Sequence, residues 1–254
     1  MFWNNGSIDT FLSPPSSPLA LDLPTLFQRT EPLAVTPIVA LAILAAAVAL
    51  ALPRAIWQYF GLFITLVHEL GHAVAALLTG RVLSGIRVHR NQSGTTHSSG
   101  RNGFSGVFSG FFGYPAPAIV GAALVWSVFN GYTRPALVVG ALVLVLTLVF
   151  IRNLFGVLVV LVSAAASVLL VLYASIGVQA YAMLVLGVAL LVGAARAFAN
   201  VVSVHTSRRA QLATSDAYLM YQRTRIPSPV WLLLFALVIV ASAWVAVSSY
   251  IATL

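Results

Sequence analysis

The chain of 254 residues has no cysteine, no lysine and only five acidic residues, and charged side chains make up 7% of it. Absence of cysteine removes disulfides, thiolate metal sites and cysteine nucleophiles. Scarcity of charge excludes an ordinary soluble domain. With 60% hydrophobic residues and a mean hydropathy of +1.00, the composition is that of a polytopic membrane protein. The acids are Asp9, Asp22, Glu31, Glu69 and Asp216, so beyond residue 31 only two carboxylate side chains are available for chemistry. All 13 basic residues are arginines. They lie between apolar runs instead of forming a basic domain, which argues against nucleic acid as a partner and for a topology signal.

A bilayer core about 30 Å thick needs roughly 20 apolar residues per helix. Runs near that length fall at 36–53, 57–79, 106–127, 135–151, 154–175, 177–199 and 229–252. The expected fold is an all-α polytopic membrane protein of six to seven transmembrane helices, with residues 36–254 as a single domain. Residues 1–35 carry clustered prolines and serines and no basic start, which reads as a flexible tail and not a signal peptide. The runs at 135–151 and 154–175 are separated only by Arg152 and Asn153, as in a tight hairpin or one broken, tilted helix.

With the amino terminus in the cytoplasm, the inside collects Arg29, Arg81, Arg87, Arg90, Arg101, Arg152, Arg196, Arg208, Arg209, Arg223 and Arg225. Outside are Arg54 and Arg134, the asymmetry expected when positive charge is retained on the cytoplasmic side. Two connections are long enough for structure of their own. Between Arg81 and Gly106, alternation around Gly85 to His89 and the turn-forming "NQSG" predict a small cytoplasmic-side β-hairpin. Between His205 and Trp231, "TSDAYLMYQ" carries a Ser/Asp helix-start signal, which places Asp216 in the first turn of a short helix.

Chemistry concentrates in the second run, at "VHELGHAVAALLTG" from Val67 to Gly80. Residues four apart share a helix face, so His68 and His72 can offer imidazole nitrogens to one metal while Glu69 turns to an adjacent position. That spacing suits a zinc hydrolase in which the metal lowers the pKa of a water to about 7 and Glu69 is the base, not a ligand. Ionisable groups in mid-membrane cost about 2.5–3.5 kcal/mol each on insertion scales, so three within five residues require a metal or partner. Gly71 and Ala73, Ala75 and Ala76 form a small-residue face for close approach, and Gly80 ends the helix. A catalytic zinc takes three protein ligands. If the third is a carboxylate, Asp216 is what remains, unless it serves only as a helix cap. His89, His97 and His205 compete for the same role. Asn153 can orient a substrate backbone or a ligand carboxylate, or simply make a polar turn.

"HELGH" in an apolar run, "GFFGYPAPAIVGA" (Gly110 to Ala122), "RNLFG" (Arg152 to Gly156) and "SDA" (Ser215 to Ala217) together resemble the site-2 protease-like intramembrane zinc metalloproteases. The resemblance spans about residues 58–231, and more narrowly the chain looks like the compact bacterial branch of peptidase-like membrane proteins. It implies Zn2+-dependent peptide hydrolysis within a bacterial plasma membrane, with a membrane-protein substrate. His68 and His72 match the zinc ligands and Glu69 the catalytic base. The family's third ligand usually sits in an Asp-Gly motif on a later core helix, and "NLFG" lacks that acid, which leaves Asp216 as a relocated candidate. No PDZ-like insert is visible. The hairpin is similar in position to the family's membrane-associated β-element, which presents a substrate strand by edge pairing. The competing expectation is a non-proteolytic metal-binding membrane protein, a transporter or scaffold, though the repeats common in transporters are not seen.

Overall fold

The computed structural model describes residues 23–100 and 103–254. Residues 1–22 of the expected tail, with Asp9 and Asp22, lie outside the described residues, as do Arg101 and Asn102. Proline sets several helix starts, because its fixed φ suits the first helical turn and its missing N–H is not needed there. Helix α1 (Pro37–Ala51) begins in this way, Pro53 caps α2 (Arg54–Leu78), and α9 (Ser228–Ile251) has proline in its first turn. Between them run α3 (Phe104–Phe111), α4 (Pro115–Phe129), α5 (Thr133–Thr147), α6 (Leu154–Tyr173), α7 (Ile176–Thr206) and α8 (Asp216–Thr224). Helices α3 and α4 are one apolar stretch bent by 61°. Pro115 and Pro117 at the start of α4 supply no N–H to the helical ladder, which interrupts it there.

Four helices, α2, α6, α7 and α9, are long and apolar enough to cross a membrane, or five if the bent pair counts as one. The expected six to seven is not reached on this measure. The runs at 36–53 and 135–151 fold as helices of 15 residues each, about 22 Å at 1.5 Å per residue. Helices α5 and α6 are separate and packed against each other, so their junction is a tight hairpin and not one broken helix.

Helix α7 is the spine. It packs antiparallel to α4, with the backbones of Gly121 and Gly187 in contact where any side chain would separate them. At its start, Ala180, Met183 and Leu184 pack with Leu33, Val35, Val128, Phe129 and Leu137. The Arg29 guanidinium donates to the Asn130 carbonyl at 2.8 Å, and the Thr30 N–H to the Gly131 carbonyl at 2.8 Å. The segment 29–35 thus packs against α4, α5 and α7.

At the other end of α7, Arg196 donates to the carbonyls of Ala51 and Leu52 and lies 4.2 Å from the centre of the Trp57 ring. Helix α1 thus runs from the far end towards Arg196, and α2 starts there. This exchanges two expected positions. Arg29 joins Arg134 at the far end, whereas Arg54 starts α2 beside Arg196.

Helix α2 ends as the sequence suggests. Gly80 is left-handed at φ +72°, the Gly80 N–H bonds the Leu77 carbonyl, and the Arg81 N–H bonds that of Ala76. Reaching that backbone conformation costs glycine no Cβ clash. Strands β1 (Val82–Val88) and β2 (Gly94–Ser99) then form the expected antiparallel hairpin, in register from Val82 opposite Ser99 to Val88 opposite Gly94, with an irregularity between Leu83 and Gly85. Buried Leu83, Ile86 and Val88 pack with Leu66, Ala73, Val160 and Ala164, which wedges the hairpin between α2 and α6. The α5–α6 link covers the outer edge of β1: the Ile86 N–H bonds the Phe150 carbonyl at 2.8 Å, and the Arg152 N–H bonds the Ile86 carbonyl at 2.9 Å.

Candidate metal centre

One turn of α2 presents His68 and His72 on the face that meets α3 and α8. His68 Nε2 is 3.2 Å from Asp216 Oδ2, His72 Nε2 is 3.3 Å from the same oxygen, and the two Nε2 atoms are 3.1 Å apart. His72 Nδ1 lies 2.7 Å from the Ser109 carbonyl oxygen. A ring N–H must donate there, so in the neutral ring the lone pair is on Nε2, facing Asp216. Ser109 also donates its hydroxyl to the His72 carbonyl at 2.9 Å, tying α3 to α2 on both sides of the ring. The ring edge of His68 meets Tyr114, with centroids 4.8 Å apart, and Tyr114 stacks on Phe235 of α9.

The two nitrogens and the oxygen converge with no hydrogen-bond donor assigned to Asp216 Oδ2, which is buried. Four-coordinate zinc with bonds of 2.0–2.2 Å has ligand-to-ligand edges of roughly 3.3 Å. The measured triangle of 3.1, 3.2 and 3.3 Å fits one face of such a tetrahedron. Two imidazoles and one carboxylate are also a donor set found at catalytic zinc, and the fourth corner remains for water. Among the described residues, His68, His72 and Asp216 are the group of metal-binding side chains brought this close.

Glu69, the residue after His68 on α2, is 4% exposed. Its Oε2 accepts the Thr96 hydroxyl from β2 at 2.7 Å. Gly94, also on β2, lies so close to the same carboxylate that a Cβ there would collide with it. The hairpin strand therefore holds the acid, and Gly94 makes room for it.

A family model for Peptidase M50B-like proteins matches residues 40–246. The chain belongs to the Peptidase M50B-like family. No curated protein and no solved structure matches it. Membership bears out the resemblance to site-2 proteases, and with the apolar helices it makes the chain an integral membrane protein of a metallopeptidase family.

Within this M50B-like chain the remaining candidates take other positions. Asn153 is not brought to the triangle: its amide donates to the Val88 carbonyl at 2.8 Å and accepts the Val88 N–H at 3.1 Å. It acts as one more strand residue beside β1. His205 Nε2 lies 2.8 Å from the Ser215 hydroxyl, next to Asp216 in sequence. His89 and His97 are in the hairpin and outside the cluster. Sequence reasoning missed Ser109, Thr96 and Gly94. It quoted Gly113 and Tyr114 only inside a motif, and Gly113 is where α3 turns into α4 directly against both imidazoles. Ser109 carried no signal, since only its place on α3 brings it to His72.

Proposed function

We propose that the protein is an intramembrane zinc endopeptidase that cleaves membrane-embedded or membrane-adjacent segments of other proteins. The near-equilateral triangle of His68 Nε2, His72 Nε2 and Asp216 Oδ2 carries this reading. Zinc, when bound, supplies Lewis acidity and lowers the pKa of a coordinated water to about 7. Glu69 accepts the proton of the attacking water and returns it to the leaving amine. Thr96 holds Oε2 and leaves Oε1, beside Gly94, as the oxygen that carries the proton. Ser109 and Tyr114 fix the two imidazoles.

The substrate joins as a strand on the free edge of β2. The far edge of β1 is covered by Phe150–Asn153, whereas β2 pairs only with β1 among the described residues and runs past Glu69. A transmembrane helix has its peptide bonds shielded by their own hydrogen bonds, so it unwinds to reach this edge, and helix-breaking residues near its cleavage point favour cutting. Arg87 and Arg90 lie on the hairpin and Arg81 and Arg152 bond to it, whereas Arg29 lies at the opposite end of α7, an asymmetry that favours the hairpin side as the cytoplasmic one in a bacterial cell. Residues 29–35 then lie at the opposite face, reversing the expected cytoplasmic start for the part that is described.

The test pairs zinc content with cleavage of a transmembrane reporter peptide in detergent. Glu69→Gln keeps zinc and loses about 10²- to 10⁴-fold in turnover, the usual contribution of a general base. Asp216→Ala and His68→Ala lose zinc. A Glu69→Gln protein that cleaves normally overturns the role of Glu69 as base, and a wild type that holds zinc yet cleaves no transmembrane reporter overturns the protease reading in favour of a metal-binding transporter or scaffold.

A further inference from the structure

We propose that His205 is a positioning residue of the metal centre: its hydrogen bond to Ser215 fixes where Asp216 enters. The inference rests on the metal-centre reading above. Asp216 arrives on α8, a helix of nine residues preceded by a 3-10 turn at Arg209–Thr214. So short a helix is marginal by itself and takes its position from what holds its ends. His205 sits in the last turn of α7, a helix of 31 residues anchored along the bundle, and its Nε2 reaches the Ser215 hydroxyl at 2.8 Å across ten residues of chain. Ser215 is 2% exposed. Among the described residues no other side-chain hydrogen bond joins α7 to Ser215 or Asp216.

A second observation is independent of that distance. Ser215 is the N-cap residue of α8, where a serine hydroxyl ordinarily accepts an N–H two or three residues on, for about 1 kcal/mol. Here it makes no such bond. The local stabilisation is forgone, and the hydroxyl is turned to the imidazole. A helix start that gives up its own cap for a long-range bond is one whose position matters more than its local stability. Arg208 reinforces the reversal by bonding back to Asn200 and Ser203 on α7, so the chain leaves α7 and returns over a closed path. His205 is then no competitor for the metal. It stands one residue behind the ligand, and it acts by aiming Asp216 Oδ2 at the two imidazole nitrogens.

The experiment is zinc affinity of the purified full chain in detergent, measured by chelator competition, together with the absorption spectrum of the cobalt-loaded protein. His205→Ala is expected to weaken zinc binding about 10- to 100-fold, as losses behind a metal ligand do, and to alter the cobalt spectrum. His205→Gln, which keeps a polar head able to meet the hydroxyl, recovers most of that affinity. Ser215→Ala removes one hydroxyl only, shows the same loss, and adds nothing further in the double variant. If His205→Ala does not fold, Ser215→Ala carries the test. Zinc binding indifferent to both residues, or a Gln variant as weak as the Ala variant, overturns the inference alone. Wild-type protein that holds no zinc overturns the metal-centre reading and this inference together.

Discussion

Replacing Gly113 by alanine tests the metal centre without touching a ligand. A Cβ built on Gly113 falls on His72 Nε2, 2.5 Å from His72 Cε1 and 2.8 Å from His68 Cε1. Carbon contacts relax only at roughly 3.5–4.0 Å, so both rings must retreat by about 1 Å. The tether of His72 Nδ1 to the Ser109 carbonyl leaves that ring little freedom to do so. A misplacement of about 1 Å at a catalytic group costs on the order of 10²-fold in rate. Gly113 does not have a positive φ, so alanine meets no backbone strain, and its smaller unfolded-state entropy favours the fold by about 0.4–1 kcal/mol. Crowding the two rings costs about 1–3 kcal/mol, so the expected outcome is a protein that melts modestly below the wild type in detergent, binds zinc more weakly, and cleaves a transmembrane reporter about 100-fold more slowly. A Gly113→Ala protein with full zinc and undiminished cleavage refutes the placement of the two imidazoles against this turn.

Gly71→Ala provides the contrast, because its Cβ meets the Phe112 backbone oxygen and the Ala116 methyl, neither of which is a flexible tip. Overpacking costs about 1–3 kcal/mol, and a thermal melt shows a general loss of stability in place of a selective loss of metal. Thr96→Val removes the hydroxyl that holds Glu69 Oε2; a hydrogen bond to a charged group contributes about 1.5–3 kcal/mol, so turnover falls about 10- to 100-fold while zinc content stays unchanged. Asn153→Ala leaves the Val88 N–H and carbonyl without their amide partner. Hydrogen exchange at Val88 then speeds up by an amount equivalent to about 1–3 kcal/mol, with zinc affinity intact; an effect on zinc equal to that of Asp216→Ala would return Asn153 to the metal centre.

The parts legible in the sequence were those encoded within a few residues. His68 and His72 share a face because the helical repeat requires it, the Gly80 stop follows from φ at one residue, and the hairpin follows from alternation around "NQSG". Asp216 was reachable by counting, since a chain with two carboxylates beyond residue 31 leaves few alternatives. Arg29 and Arg54 change places because the length of an apolar run does not say what its ends meet: α1 spans 15 residues and α2 begins beside Arg196. Asn153 looked like a site residue because its amide suits one. Its partner is Val88, 65 positions away.

By itself, then, the sequence determined a membrane-embedded helix bearing two metal-ready imidazoles and a base, together with a short helix opening on an acid. Helical period, hydropathy and capping are local properties, and each can be read without knowing any neighbour. Only the tertiary structure decided that Asp216 meets those imidazoles, that Ser109 orients His72, that Thr96 holds Glu69, and that Ser215 turns from its own helix to His205. These contacts depend on how α3, α7, α8 and the hairpin pack around α2, and no spacing along the chain couples their positions.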